Sequence, residues 1–384
     1  MKFTKLILRC FTFILAVLVS ANLLICAASY TYLGDPFGLF KVIRIMQIME
    51  THYVGDLDRH TLLSGALHGL VDAAGEKHTV FLDGAEYEEF TESTNASYGG
   101  IGVYVSQTDQ KEAFVAGVIE DSPAEAAGIK RGDLIVAVDG NLTIGRELAE
   151  VSEDIRGEIG TSVTLTIKRG DEAQDIAVVR SDITMKTVAG KMVDGTDIGY
   201  IRISSFSTGT GDEFAKEYEK LKAQGMERLI VDLRNNPGGL VDQAARVAEY
   251  LLPAGSTVVS YTQKNGKNEV FTTSSADDKI PLAVLVNENS ASAAEILSGD
   301  VQDTHAGVIV GTKTYGKGTV QGVYPVGTDA VVKVTIAKYK TAGGREVDGT
   351  GIEPDMVVQL QANSTTDYQL ERAIDVVRTM NLNR

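Results

Sequence analysis

From about Thr184 onward, short runs of apolar, largely β-branched residues alternate with amphipathic stretches, and this alternation narrows the fold more than any other feature of the 384-residue chain. The runs are Gly199 to Ile203, Leu229 to Leu233, Leu282 to Val286 and Gly307 to Val310. They lack the polar alternation of a half-exposed strand, so they read as strands covered on both faces. Between them, Gly211 to Gly225, Asp242 to Leu252 and Ala291 to Asp303 carry helical spacing. Buried strands joined through helices call for an α/β core.

Upstream the pattern differs. At Tyr98 the period becomes two, in Ile101 to Val105, Phe114 to Val118, Leu134 to Val138 and Val163 to Ile167, with turns at Asp121-Ser-Pro123, Gly132-Asp133 and Asp139-Gly140. This is a compact β-rich domain with a helix between Gly145 and Arg156. Before it, Val42, Ile45, Met46, Ile48 and Met49, then Leu62, Leu63, Ala66, Leu67, Leu70 and Val71, recur at helical spacing. The chain therefore divides into 1–34, a helical region 35–97, a β-rich domain 98–183, an α/β core 184–360 and a C-terminal helical segment 361–384, the last introduced by the polar stretch Asn363 to Asp367.

Lys2, Lys5 and Arg9 precede an apolar run from Phe11 to Ala28. At about 18 residues it suits either a membrane anchor or a signal peptide. An uncleaved single-pass anchor is the preferred reading, and cleavage near Cys26-Ala27-Ala28 with secretion stays open. The basic residues keep the N-terminus inside and send the body out. Cys10 and Cys26, the only cysteines, lie in or beside this segment, so the exported body has neither a disulfide nor a thiol nucleophile. A net charge of −16 opposes phosphate-backbone binding, which removes nucleic acid as a partner. His52, His60 and His68 have no carboxylate or Cys at ligand spacing and read as packing residues rather than a metal set.

The chemistry is concentrated in loops that leave the buried strands. Ser290-Ala-Ser292-Ala-Ala-Glu295 stands where a strand gives way to a helix, whose first N–H groups have no intrahelical partner and face an arriving oxyanion. A plain N-cap role for Ser290 is the alternative. Asn236-Pro-Gly238-Gly239 follows another strand, and a backbone without Cβ there can complete an oxyanion hole with the N–H of Ala293. Gly311-Thr-Lys-Thr-Tyr-Gly316-Lys317-Gly318 imitates a phosphate loop, but Gly318 stands where Ser or Thr should hold magnesium, and a strand follows instead of a helix. A lysine held between glycines can instead reach inward, where desolvation favours the neutral amine and makes it a base. A solvated loop lysine is the plain alternative.

These segments together, with Gln302-Asp303, Gln321 and Gly351-Ile-Glu-Pro-Asp355, resemble the carboxyl-terminal processing (tail-specific) serine peptidases from about Leu39 to the C-terminus. The resemblance implies a crotonase-like spiral α/β peptidase core with an inserted PDZ domain and an N-terminal helical region. It assigns Ser292 as nucleophile, Lys317 as general base, Gln321 as the residue that orients the lysine, and Asp303 as a supporting acid. Gly238, Gly239 and Ala293 supply the oxyanion hole. Gly99, Gly100, Ile101, Gly102 and Val103 match the PDZ loop that holds a peptide carboxylate, with Arg156 as a relay to the core.

No metal or cofactor is implied. The expected partners are polypeptides with free, apolar C-termini and the membrane, and homo-oligomerisation stays open. Glu76-Lys77-His78-Thr79 departs from the family pattern, which has an Asp-Pro-containing turn there, and Ala294 and Ala306 depart from it as well. An inactive peptide-binding scaffold and a small-molecule acyl-transfer enzyme are the rival classes. The intact Ser292, Lys317 and Gln321 speak against the first, and a chain-end reader speaks against the second.

Overall fold

The computed structural model describes residues 2–275, 279–360 and 366–381. The expected linker Asn363 to Asp367 lies outside them as far as 365, as do the last residues 382–384.

The buried runs form one six-stranded sheet in the order Val188–Met192, Ile198–Ile203, Arg228–Asp232, Leu282–Val286, Val308–Gly311, Met356–Val357. The first pair is antiparallel and the rest are parallel. Alternate residues serve opposite faces. Ile201, Leu229, Val231, Val284 and Val286 pack against helices Thr210–Ala223, Val241–Leu251 and Ala293–Asp303. Ile198, Ile230, Ala283 and Leu285 pack under Ala373, Val376 and Val377 of helix Tyr368–Thr379. Each such aliphatic side chain contributes roughly 1.5–3 kcal/mol when fully buried. Covering both faces is what turned these strands into continuous apolar runs.

A second sheet adjoins this core. It runs Val80–Asp83, Ala330–Lys340, Thr257–Thr262, Asn268–Thr272, with Thr319–Pro325 also paired to Ala330–Lys340. Val80–Asp83 comes from the region expected to be helical. Its register places Val80 opposite Lys333 and Asp83 opposite Ala330. Four residues are too few to display a period of two, and the long neighbouring strand supplies the hydrogen bonds that make them a strand. The rest of that region is helical, as Gly38–His52, Arg59–Asp72 and Gly84–Asn95.

The β-rich domain is a sheet ordered Val103–Gln107, Ala113–Val118, Leu134–Val138, Ser162–Arg169, Glu172–Val179. It encloses its own core of Ile101, Val115, Ile135, Val151, Val163, Leu165 and Ile167. Its entry strand Ser97–Gly100 pairs antiparallel with its exit strand Ser181–Thr184, so the domain is an insertion zipped shut at its base.

At the N-terminus, helix Lys2–Leu33 contains Phe11–Leu33, which by length and composition is apolar enough to cross a membrane. Lys2, Lys5, Arg9 and Cys10 belong to this helix but precede the side chains described. His68, contrary to its sequence spacing, does meet carboxylates: its ligand atom and those of Asp83 and Glu86 lie within 4.8 Å of one another. Asp83 accepts from His68 at 3.0 Å and from Ser64 at 2.7 Å, so this set is already internally bonded.

Candidate active site

Ser292 is the N-cap of helix Ala293–Asp303 and has φ 53° and ψ −116°. A positive φ is costly for a residue with a side chain, and a strained elbow of this kind lifts the side chain clear of the helix it begins. Ser290 is not the cap. It is fully buried, donating its hydroxyl to the Leu233 carbonyl at 2.7 Å and accepting from the Asn287 N–H at 2.9 Å. The first serine therefore ties two neighbouring strand ends together, and the second is left for chemistry.

The glycine turn is locked against this elbow. Asn236, fully buried, donates to the Ile203 carbonyl at 2.9 Å, and its own carbonyl accepts from Ala291 at 3.0 Å. Asn235 and Asn287 exchange hydrogen bonds at 2.8 and 2.9 Å. Gly238 has φ 96°, and a Cβ there would come within 2.7 Å of the Ser292 Cβ and 2.9 Å of the Ala293 nitrogen. Gly239 has φ 136°, and a Cβ would collide with the Phe206 carbonyl. The Gly238 N–H is occupied by the Asn236 side chain at 2.8 Å. The N–H groups of Gly239 and Ala293 have no hydrogen-bond partner among the described residues.

Two side chains that the sequence reading left without roles join the serine to the lysine loop. Glu295, fully buried, accepts from the backbone N–H groups of Ser292 (2.9 Å), Gly316 (2.6 Å) and Lys317 (2.8 Å), and from the Thr314 hydroxyl (2.6 Å). Four donors satisfy a carboxylate that would otherwise be expensive to bury. Tyr339, 1% exposed, reaches the Lys317 carbonyl at 2.9 Å and the Ser292 carbonyl at 3.3 Å. The only sequence signal for Glu295 was its place three residues after an N-cap serine, which fits a capping acid as well as a bridge.

Lys317 is partly buried. Burial pushes its pKa below the usual lysine value, and the neighbouring Lys333 adds to that, while Glu76 opposes it. No hydrogen bond joins the Ser292 hydroxyl to the Lys317 amine among the described residues. The fold brings their backbones together through Glu295 and Tyr339. Gln321 lies on the strand leaving this loop, and its side-chain nitrogen donates to Thr319 at 2.8 Å and Thr335 at 3.3 Å. Asp303 stands at the far end of the helix, where it accepts from Thr341 and from Gly343 (2.8 Å) and pairs with Arg345 at 2.7 Å. It braces that turn and does not approach Ser292 through any of these bonds.

In the inserted domain a cavity of about 250 Å³ is lined by Tyr98, Gly100 to Val105, Ser152, Ile155 and Arg156, among others. The N–H groups of Ile101 and Gly102 are without partners among the described residues, and Val103–Gln107 is the edge strand of its sheet. This is the geometry for holding a terminal carboxylate and adding a peptide as a further strand. Gly99 abuts the Gly157 carbonyl and accepts from its N–H, so it braces the base of the domain. Arg156 lies over the Tyr98 ring at 4.4 Å and pairs with Glu92 of helix Gly84–Asn95 at 3.5 Å, linking the groove to the N-terminal region.

A chain-end-binding module inserted ahead of an α/β core with a strained serine elbow defines the class: a serine peptidase with an associated PDZ domain. Residues 197–358 match the model of peptidase family S41, and residues 114–169 match that of the PDZ domain. The carboxy-terminal processing protease CtpB of Bacillus subtilis is 32% identical over 83% of this chain and 67% of that protein. The carboxy-terminal-processing protease of Bartonella bacilliformis is 34% identical over 90% of this chain and 82% of that protein. Among solved structures, the photosystem II D1 C-terminal processing protease aligns over 92% of this chain and 97% of its own, at 25% identity and a TM-score of 0.51. The chain belongs to peptidase family S41, among the tail-specific serine peptidases that carry a PDZ domain.

Proposed function

We propose that this protein is an endopeptidase with a Ser292/Lys317 dyad that cleaves exported polypeptides near their C-termini. The observation that carries this reading is the Glu295 bridge, which holds the backbone of Ser292 and that of Lys317 on one carboxylate. Neutral Lys317 takes the Ser292 proton as the serine oxygen bonds to the scissile carbonyl carbon. The resulting oxyanion is received by the N–H groups of Gly239 and Ala293, the Gly238 N–H being already engaged. The proton passes to the leaving amine as the C–N bond breaks. Water then attacks the acyl-enzyme, giving its proton to Lys317, and the product acid leaves.

Gln321 orients the lysine in this scheme. The loop Gly99 to Val103 receives the C-terminus of a substrate or regulatory peptide with an apolar last residue, and Arg156 reports its presence to the N-terminal region. Asp303 supports the elbow helix from its far end. The core is a crotonase-like spiral, and the domain divisions fall at 1–34, 35–97, 98–183, 184–360 and 361–384. Helix Lys2–Leu33 anchors the body on the extracytoplasmic side of the membrane, N-terminus inside.

The test is cleavage of casein by the detergent-solubilised full chain. Ser292→Ala, Lys317→Ala and Lys317→Arg are each expected to abolish turnover, the arginine because guanidinium does not give up its proton. Chelators leave the wild-type rate unchanged. Turnover by any of the three variants refutes the dyad, and loss of activity on metal removal points to a metallopeptidase.

A further inference from the structure

The turn Glu76 to Thr79 departs from the family pattern, and the reaction above makes no use of it. It nevertheless lies against the strand that backs the active site. Thr335 on Ala330–Lys340 donates its N–H to the Thr79 hydroxyl at 3.1 Å. Glu76 accepts from the Thr335 hydroxyl (2.7 Å), the Thr79 hydroxyl (2.9 Å) and the His78 N–H (3.0 Å). Thr335 in turn faces Gln321 across the strand pair and receives its side-chain nitrogen at 3.3 Å.

The polarity of this chain of bonds has one sense. An ionised carboxylate only accepts, and a threonine hydroxyl has a single proton. Burial pushes the Glu76 pKa up, but the hydrogen bonds from Thr335, His78 and Thr79 outweigh it and hold the group below the usual carboxylate value. The Thr335 proton is therefore committed to Glu76, and only lone pairs remain for Gln321. The Gln321 amide must turn its NH₂ toward Thr335, where the other amide proton reaches Thr319 at 2.8 Å. Its carbonyl oxygen has no donor among the described residues.

We propose that Glu76, from the N-terminal region, is a positioning residue that fixes the orientation of the Gln321 amide, so that its carbonyl oxygen and not its NH₂ is presented to the amine of Lys317. The inference rests on the reading of Lys317 as the base. It makes the N-terminal region part of the active site, through a carboxylate that touches no reacting atom.

Glu76→Gln replaces an obligate acceptor with a group that can donate to Thr335, which frees the threonine proton and lets the Gln321 amide flip. With fluorogenic casein and the full chain, kcat is expected to fall on the order of 10- to 100-fold with KM unchanged, the scale of a misplaced catalytic group. Glu76→Asp, which keeps the acceptor, restores most of kcat. Gln321→Ala shows the same loss, and adding Glu76→Gln to it costs nothing further. Thr335→Val, a β-branched replacement that keeps the strand, reproduces the loss by a separate route and decides the matter if Glu76→Gln fails to fold. Wild-type kcat in either Glu76→Gln or Thr335→Val, or losses that multiply in the double variant with Gln321→Ala, overturn the proposal. Turnover by Ser292→Ala or Lys317→Ala would instead sink the dyad beneath it, so the two failures are told apart.

Discussion

Helix Ala293–Asp303 has nine of its 11 residues buried, whereas helices Gly38–His52 and Arg59–Asp72 have none. The first is held from every side by the core and by the loops that end on it. The other two rest on local devices, such as the Asp58 cap on the Thr61 N–H at 2.8 Å, and leave Ile45 61% exposed. An elbow that keeps a serine at positive φ needs over-determined surroundings, because each strained residue costs of order 1–3 kcal/mol. The N-terminal helices hold nothing strained, and only the turn and short strand that follow them reach the core.

The sharpest way to break this contrast is at Glu295. Glu295→Ala leaves four buried donors unpaired and is expected to cost about 3–5 kcal/mol in denaturant unfolding, with loss of all turnover. A variant that unfolds like the wild type would show that the two loops hold their places without the bridge.

A second test uses Asp300, on the same helix. It is fully buried, one of its side-chain oxygens has no partner, and burial pushes its pKa well above the carboxylate range. The folded state thus keeps a proton that the unfolded chain releases near pH ~3.9, so stability falls as pH rises from there through the folded pKa. Asp300→Asn is expected to raise the melting temperature at neutral pH, by the equivalent of about 1–3 kcal/mol, and to lose that advantage near pH 4. An advantage that persists unchanged in acid would contradict a protonated Asp300.

A smaller effect is expected in the inserted domain. Amidating the C-terminus of an apolar peptide removes the charge that the Ile101 and Gly102 N–H groups would hold, and binding measured by calorimetry should weaken by roughly 1.5–3 kcal/mol. Equal affinity of acid and amide would remove the loop from recognition. The smallest effect belongs to the exposed helix. Ile45→Ser should change stability by no more than about 0.5 kcal/mol, and a larger loss would mean that this face is packed in solution.

The two regions were also unequally legible in the sequence. Strands covered on both faces announce themselves as apolar runs, and the glycine turn, the Ser-Ala-Ser elbow and the Gly-Lys-Gly loop stand out because each interrupts such a run with residues that turns require. Glu295 was hidden because a buried bridge and an exposed capping acid look the same at that spacing. The Gly238 N–H was misjudged as free for want of the Asn236 side chain, which no local pattern directs toward it. Val80–Asp83 and the Glu76 contacts depend on Ala330–Lys340, some 250 residues away, and such pairings leave no trace in local periodicity.

The central claim, that Ser292 is activated by a neutral Lys317, is tested most directly by fluorophosphonate labelling of the full chain across pH, with the adduct located by mass spectrometry. Burial and Lys333 hold the Lys317 pKa below the usual lysine value, so the neutral base is populated at lower pH than a free lysine allows. The account predicts a single adduct on Ser292, formed at a rate that rises with pH through that depressed pKa and that collapses in Lys317→Ala. An adduct on another residue, or undiminished labelling of Ser292 in Lys317→Ala, would contradict it.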